Sequence, residues 1–256
     1  MNQQKQFCMV RETDYTNEEE IKAILQKGIS AETILSSCNL IRKKENGVVL
    51  KLPSDIDFLR FDKIDELKDI QKAVDWIKHQ NTNLLSECIE KAGDIPLLLP
   101  VSGAFSLLVA VAGSDFLFRN LKKSQPLLLQ AIKELNVITA KRVINAIQCG
   151  VKLISFSDPS ALTEVIGEKM VIQYSVEPTY EWMKLIAPSL TNSIVHICPR
   201  LSFLLEKEQL CQTEMYQCCG ESLSFELLSL GKRKEIAFTG HVCIHAKQCQ
   251  KITILK

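Results

Sequence analysis

The chain has 256 residues, 46% of them hydrophobic, with 31 basic and 30 acidic side chains and a net charge of +1. That length supports one large domain with its own core, and the balanced charge excludes the broad basic field of a nucleic-acid surface. Ten cysteines are not needed as staples in a chain with a core of this size. Met1-Asn-Gln-Gln-Lys-Gln6 carries no apolar signal segment, so reduced thiols in a cytoplasmic setting, available for metal, are expected.

The first fifty residues are expected to be helical with short extended pieces. Thr16-Asn-Glu-Glu19 has capping-box spacing and opens a helix that runs to about Lys27, followed by a second over 31–38. Asn46-Gly47 marks a turn between extended pieces at 40–43 and 48–52. Ile64, Leu67, Ile70, Val74 and Ile77 recur at helical spacing across 62–79, and another helix covers 82–92. The run 95–113 has no charge and is nearly long enough to cross a bilayer. Pro96, Pro100, Ser102 and Gly103 divide it instead into a strand buried on both faces (95–101), a tight loop and a helix start, so no membrane span is expected.

Helices are expected over 104–112, 114–122 and 125–148, the last ended by Gly150. A strand over 151–156 leads into Ser157-Asp158-Pro159, where Asp158 is the expected N-cap and Pro159 the first residue of the next helix. Helical segments continue to about 189, then a strand (193–198), a helix (201–208), strands near 214–218 and 235–239, and an extended end at 251–255.

Strands alternating with helices imply parallel pairing and right-handed crossovers, with chemistry at the carboxyl ends of the strands. Those ends carry Ser102-Gly103, Ser157-Asp158, His196-Ile-Cys198, Cys218-Cys219-Gly-Glu221 and His241-Val-Cys243. In a strand, His196 and Cys198 point to one side. Imidazole and thiolate are the commonest protein ligands of zinc. A closed structural site of His196, Cys198, His241 and Cys243 is the competing reading of the same pairs.

Val101-Ser-Gly-Ala-Phe105, Gly150-Val-Lys-Leu-Ile-Ser-Phe-Ser-Asp-Pro159 and His196-Ile-Cys198, in that order, resemble segments of the uroporphyrinogen decarboxylase superfamily. Within it, the chain resembles the zinc-dependent corrinoid-protein methyltransferases, of the methylcobamide:coenzyme M type, from about residue 35 to the C-terminus. The resemblance implies an α/β fold, a (β/α)8 TIM barrel. Because the chain is short for it, a shortened or incomplete barrel with a helical N-terminal segment is expected. That makes one domain over 1–256, with residues 1–50 ahead of a barrel core at 51–256.

It also implies Zn2+ held by His196, Cys198 and Cys243, with Cys219 or Glu221 as a fourth group. A methylcobamide would be presented by a corrinoid-binding partner protein, and a small thiol or related acceptor would take or give the methyl group. Ser102, Gly103 and Asp158 would line the substrate pocket, joined by Tyr174 and Glu177. Two alternatives stand beside this: a non-catalytic corrinoid- or porphyrin-binding barrel with a structural zinc, and a decarboxylase. The latter fits poorly, since only Arg11, Arg42 and Arg60 are available near the N-terminus to hold substrate carboxylates.

Overall fold

The computed structural model describes residues 39–42, 48–52, 64, 66–79, 83–233 and 235–256. The two helices expected before residue 39 and the Asn46-Gly47 turn lie outside the described residues. Among the described residues, eight strands make one sheet: β1 (Asn39–Arg42), β2 (Val48–Lys51), β3 (Leu97–Ser102), β4 (Leu153–Ser157), β5 (Ile194–Ile197), β6 (Thr213–Gln217), β7 (Phe238–Gly240) and β8 (Lys251–Leu255). Their order is β1-β2-β3-β4-β5-β7-β8-β6. From β2 to β7 every neighbouring pair is parallel, while β1 on β2, β8 on β7 and β6 on β8 are antiparallel.

The fold is therefore α/β with a mostly parallel sheet, and closure into a barrel is not shown by the described strands. The antiparallel β8 departs from the all-parallel expectation. Its cause lies in the segment after β7: His241 takes a left-handed conformation (φ 65°), and residues 241–250 fold the chain back beside the strand it has just left.

The crossovers are helical. Helices α1 (Asp69–Lys78) and α2 (Asn83–Ala92) precede β3. Helices α3 (Ala104–Ala112), α4 (Ser114–Asn120) and α5 (Gln125–Gln148) join β3 to β4. Between β4 and β5 run α6 (Thr163–Ile166), α7 (Glu168–Val171), a π-helical turn (Ile172–Val176), α8 (Glu177–Ile186) and a 3-10 turn (Ala187–Ser189). Helix α9 (Pro199–Lys207) follows β5, and α10 (Leu223–Leu230) lies between β6 and β7. No described helix is long and apolar enough to cross a membrane; the uncharged run at 95–113 becomes β3 and α3.

Two boundary shifts have plain causes. The helix expected over 62–79 begins at Asp69 among the described residues, after a turn at 66–68. The helix after β5 starts at Pro199 rather than 201, because a proline in the first helical turn gives up no intrahelical hydrogen bond. Pro100 is tolerated inside β3 for a related reason. It pairs with Ser155 of β4 on one side, and on the other it lies beyond the described ladder with β2, which ends at Leu98.

Side chains alternate across the sheet and build two cores. Val101, Ile154, Phe156, Val195, Ile197 and Phe238 face the crossover helices, packing on Ala140 and Val143 of α5, Trp182 and Ile186 of α8, and Leu201 and Leu205 of α9. The Phe156 and Trp182 rings lie 4.3 Å apart between centroids. On the opposite face Leu98, Leu153 and Ile194 meet Leu223, Leu227 and Leu230 of α10. A closed barrel fills that face with side chains from strands across the interior; here α10 packs on it, at the amino-terminal halves of β4 and β5. The carboxyl halves of the same strands are left to polar residues.

Candidate functional site

Strand register places these polar residues in rows. Ser155 of β4 lies in register with Pro100 on β3 and with His196 on β5, and His196 is in register with Thr239 on β7. Two residues closer to the strand ends, Ser102 aligns with Ser157. Cys198 stands two residues beyond His196, in backbone that is still extended (φ −48°, ψ 138°), at the cap position of α9. Its thiol is half-buried, and its amide donates to the Phe156 carbonyl at 2.9 Å.

His196 is 2% exposed. Its Nε2 donates to the backbone carbonyl of Val242 at 2.7 Å, and its Nδ1 lies 3.4 Å from Ser155 Oγ. Burial pushes its pKa down to about 4, against the pull of the Val242 carbonyl. The imidazole is therefore neutral near pH 7, and it ties the loop after β7 to the end of β5.

Asp158 has a different task from the one its sequence position suggests. The next helix begins at Thr163, not Pro159, so Asp158 does not cap it. Standing one residue past Ser157, its side chain turns toward the helical face. There Oδ1 accepts the Ser106 amide at 2.8 Å and the Ser106 hydroxyl, and Oδ2 accepts the Ser175 hydroxyl at 2.7 Å. Ser106 is the third residue of α3, whose own cap residue is Gly103. A side chain at the cap position ordinarily accepts that amide. Gly103 has none, and the carboxylate of Asp158 arrives from the neighbouring strand to do so.

The fit is close, since a Cβ at Gly103 would lie 2.4 Å from Asp158 Cγ. Burial pushes the Asp158 carboxyl pKa up, while the Ser106 and Ser175 donors pull the other way. Ser106 and Ser175 were not evident from sequence. The available clue was a glycine, rather than Ser, Thr, Asp or Asn, at the cap position of an apolar helix.

The remaining expected residues are dispersed. Tyr174 is fully buried, with its hydroxyl donating to the Leu121 carbonyl at 2.8 Å and its ring 5.9 Å from Phe105, so it belongs to the core. Glu177 is exposed and lines a surface groove of about 930 Å³ together with Lys122, Glu168, Lys169 and Lys207. Cys219 and Glu221 follow β6, which β7 and β8 separate from β5. Three strand spacings put them about 14 Å to the side of His196.

Near them, burial together with Cys249 and Glu226 pushes the Cys218 thiol pKa up to about 12. Cys243 lies in the loop after β7, half-buried, and its carbonyl accepts the Ala246 amide at 2.9 Å. His241 turns to α9, stacked on Phe203 at 4.0 Å with Nε2 3.6 Å from a Glu206 oxygen. Among the described residues, no three His, Cys, Asp or Glu side chains are gathered into a group that could hold a metal ion. His196, Cys198, Cys243 and Cys219 or Glu221 are not gathered as such a group among the described residues.

No family model matches the chain. No curated protein matches it either. Among solved structures it is similar to a methyltransferase from Methanosarcina mazei, at 16% identity and a TM-score of 0.42. The similarity covers 69% of this chain and 52% of the other, so the chain spans about half of that protein.

Proposed function

We propose that the chain is a methyltransferase that moves a methyl group between a corrinoid carried by a partner protein and a small thiol or related acceptor. One observation supports this reading. The three segments that carry the resemblance are separated in sequence by about forty residues or more, yet they fall on β3, β4 and β5, which are neighbours in the sheet. Their carboxyl ends bring Ser102, Ser157, His196 and Cys198 to one edge, where parallel α/β sheets bind their ligands.

The chain's own groups suit a thiol at that edge. Transfer to a thiol needs a thiolate. The first turn of α9, entered at Cys198, presents backbone N–H groups without intrahelical partners, and these favour negative charge. Ser102 and Ser157 supply hydroxyls, and His196 a neutral imidazole. Cobalt and its corrinoid come with the partner. Zinc enters the proposal as a dependence to be measured, with no step assigned to it.

The test is an assay of methylcobalamin demethylation by 2-mercaptoethanol, with and without added Zn2+, alongside the metal content of the purified protein. Thiol methylation that disappears in Cys198→Ser is the expected result. Absence of thiol methylation under both conditions, or a Cys198→Ser protein as active as the parent, would sink the proposal.

A second reading is favoured by the bond between His196 Nε2 and the Val242 carbonyl, which already commits one ring nitrogen to holding the loop. On that reading the chain binds a corrinoid or porphyrin without turnover. Saturable absorbance changes with methylcobalamin or a porphyrin, and no methyl transfer, would mark it.

A further inference from the structure

We propose that Cys218 and Cys249 are a modification site: they form a reversible disulfide that fastens the segment after β7 to the end of β6. The two residues are distant in sequence and meet where β6 ends and β8 begins. The ladder between these strands runs up to the pairing of Gln217 with Lys251. Just past it, the Cys218 amide donates to the Gln250 carbonyl at 2.8 Å, and the Cys249 amide donates to the Glu221 carbonyl at 2.7 Å. Two backbone hydrogen bonds therefore hold the cysteines on adjacent stretches of chain.

In a regular antiparallel ladder Cys249 would face away from Cys218, because successive side chains alternate. The chain bends at Gln250, and the alternation is lost there. Both cysteines pack in the same apolar cluster, with Tyr216, Leu223 and Ile252. Within it the Cys218 thiol is in hydrogen-bond contact with the Cys249 sulfur. Cys249 donates its own proton to the Lys251 carbonyl at 3.2 Å, so Cys218 meets the lone pairs of its sulfur. Both thiols are free, Cys218 half-buried and Cys249 2% exposed. With the backbones already tied together, side-chain rotation takes the sulfurs from contact to the bonded distance of about 2.0 Å.

The oxidant is a small-molecule disulfide, RSSR. Cys218, the more accessible thiol, reacts first. Its sulfur attacks one sulfur of RSSR, the S–S bond breaks, and the departing RS− takes up the Cys218 proton. The Cys249 sulfur then attacks the Cys218 sulfur of the mixed disulfide, and the second RS− leaves with the Cys249 proton. Two cysteine thiols are oxidised to one disulfide and RSSR is reduced to two RSH. The apolar contact disfavours thiolate, so the exchange is slow. The bridge secures one end of residues 241–250, whose other end is held by the Val242 carbonyl on His196. The pairing does not depend on the methyl-transfer reading.

The test is incubation of the full chain with oxidised glutathione to equilibrium at mildly alkaline pH. Remaining thiols are then alkylated, and the protein is digested with trypsin without reduction and mapped by mass spectrometry. Cys249 is the one cysteine of the tryptic peptide Gln248–Lys251, so its partner is read directly. That peptide is expected to be joined to the one carrying Cys218, to be released by dithiothreitol, and to stay joined in Cys219→Ser but not in Cys218→Ala. Alkylated Cys249 in the parent, glutathione retained on Cys218, or a link that survives in Cys218→Ala would overturn the proposal. Amide hydrogen exchange over 241–250 is expected to slow on oxidation; unchanged or faster exchange would overturn the fastening of that segment.

Discussion

Gly103→Ala is expected to destabilise the protein by about 3 kcal/mol or more, a large effect for a single added methyl group. Backbone strain is not the cause, because Gly103 has ordinary extended angles (φ −64°, ψ 155°). Space is the cause: the new Cβ would lie 2.4 Å from Asp158 Cγ and 2.6 Å from both its Cβ and Oδ2. Overpacking a filled site costs about 1–3 kcal/mol. Asp158 can yield only by leaving Ser106 and Ser175 without their acceptor, at about 1–3 kcal/mol for each buried group left unsatisfied.

Urea unfolding followed by circular dichroism measures the loss. A double change separates this cause from general crowding. Gly103→Ser with Asp158→Gly gives α3 a cap side chain of its own and removes both the carboxylate and the Cβ it would strike. The pair is expected to be more stable than the sum of the two single changes by about 1–3 kcal/mol. Simple additivity would refute the idea that Asp158 caps α3 from a distance. Asp158 also leaves a pH signature. Its folded pKa is raised, so its contribution is fully present below the ordinary value of 3.8 and is lost as pH rises through the folded value. Asp158→Asn removes that dependence.

Asp158 shows where sequence reasoning stops. Ser-Asp-Pro is a sound local cap signal, and local rules place the aspartate at the start of the following helix. The outcome was set by register instead: Ser102 pairs with Ser157, which brings Asp158 against Gly103, and Gly103 has no side chain to compete with it. Helix α5 was legible at both ends because its signals are local, from the proline in its first turn to Gly150 beyond its last. Strands β3, β4 and β5 were legible from their apolar runs.

Strand direction was not legible, because alternation reads the same whichever way a strand runs. The extended end expected at 251–255 became the antiparallel β8. By pairing between β7 and β6 it carries Cys219 away from His196, although β6 ends at the same side of the sheet as β5. Ser155 gave no signal at all. One serine in an apolar strand acquires meaning only when the neighbouring strand sets a histidine beside it.

The protein is expected to lose about 2 kcal/mol of stability near pH 5 through His196 alone. A histidine in the unfolded chain takes up its proton near 6.5, whereas burial holds the folded ring to about 4. Between those values the unfolded state binds the proton and the folded state does not, so stability falls as pH drops across the window and levels off below about 4. The raised folded pKa of Asp158 contributes the opposite slope, so the parent protein's profile is a sum of the two. Comparison with His196→Gln isolates the histidine. The glutamine amide can still donate to the Val242 carbonyl but cannot titrate. Unfolding free energies at about pH 7.5 and pH 5 should then show the parent losing about 2 kcal/mol more than the variant. Equal losses would mean that the ring accepts its proton in the folded state. That would undo the neutral imidazole, although an imidazolium would still donate its Nε2–H to the Val242 carbonyl and keep the loop pinned.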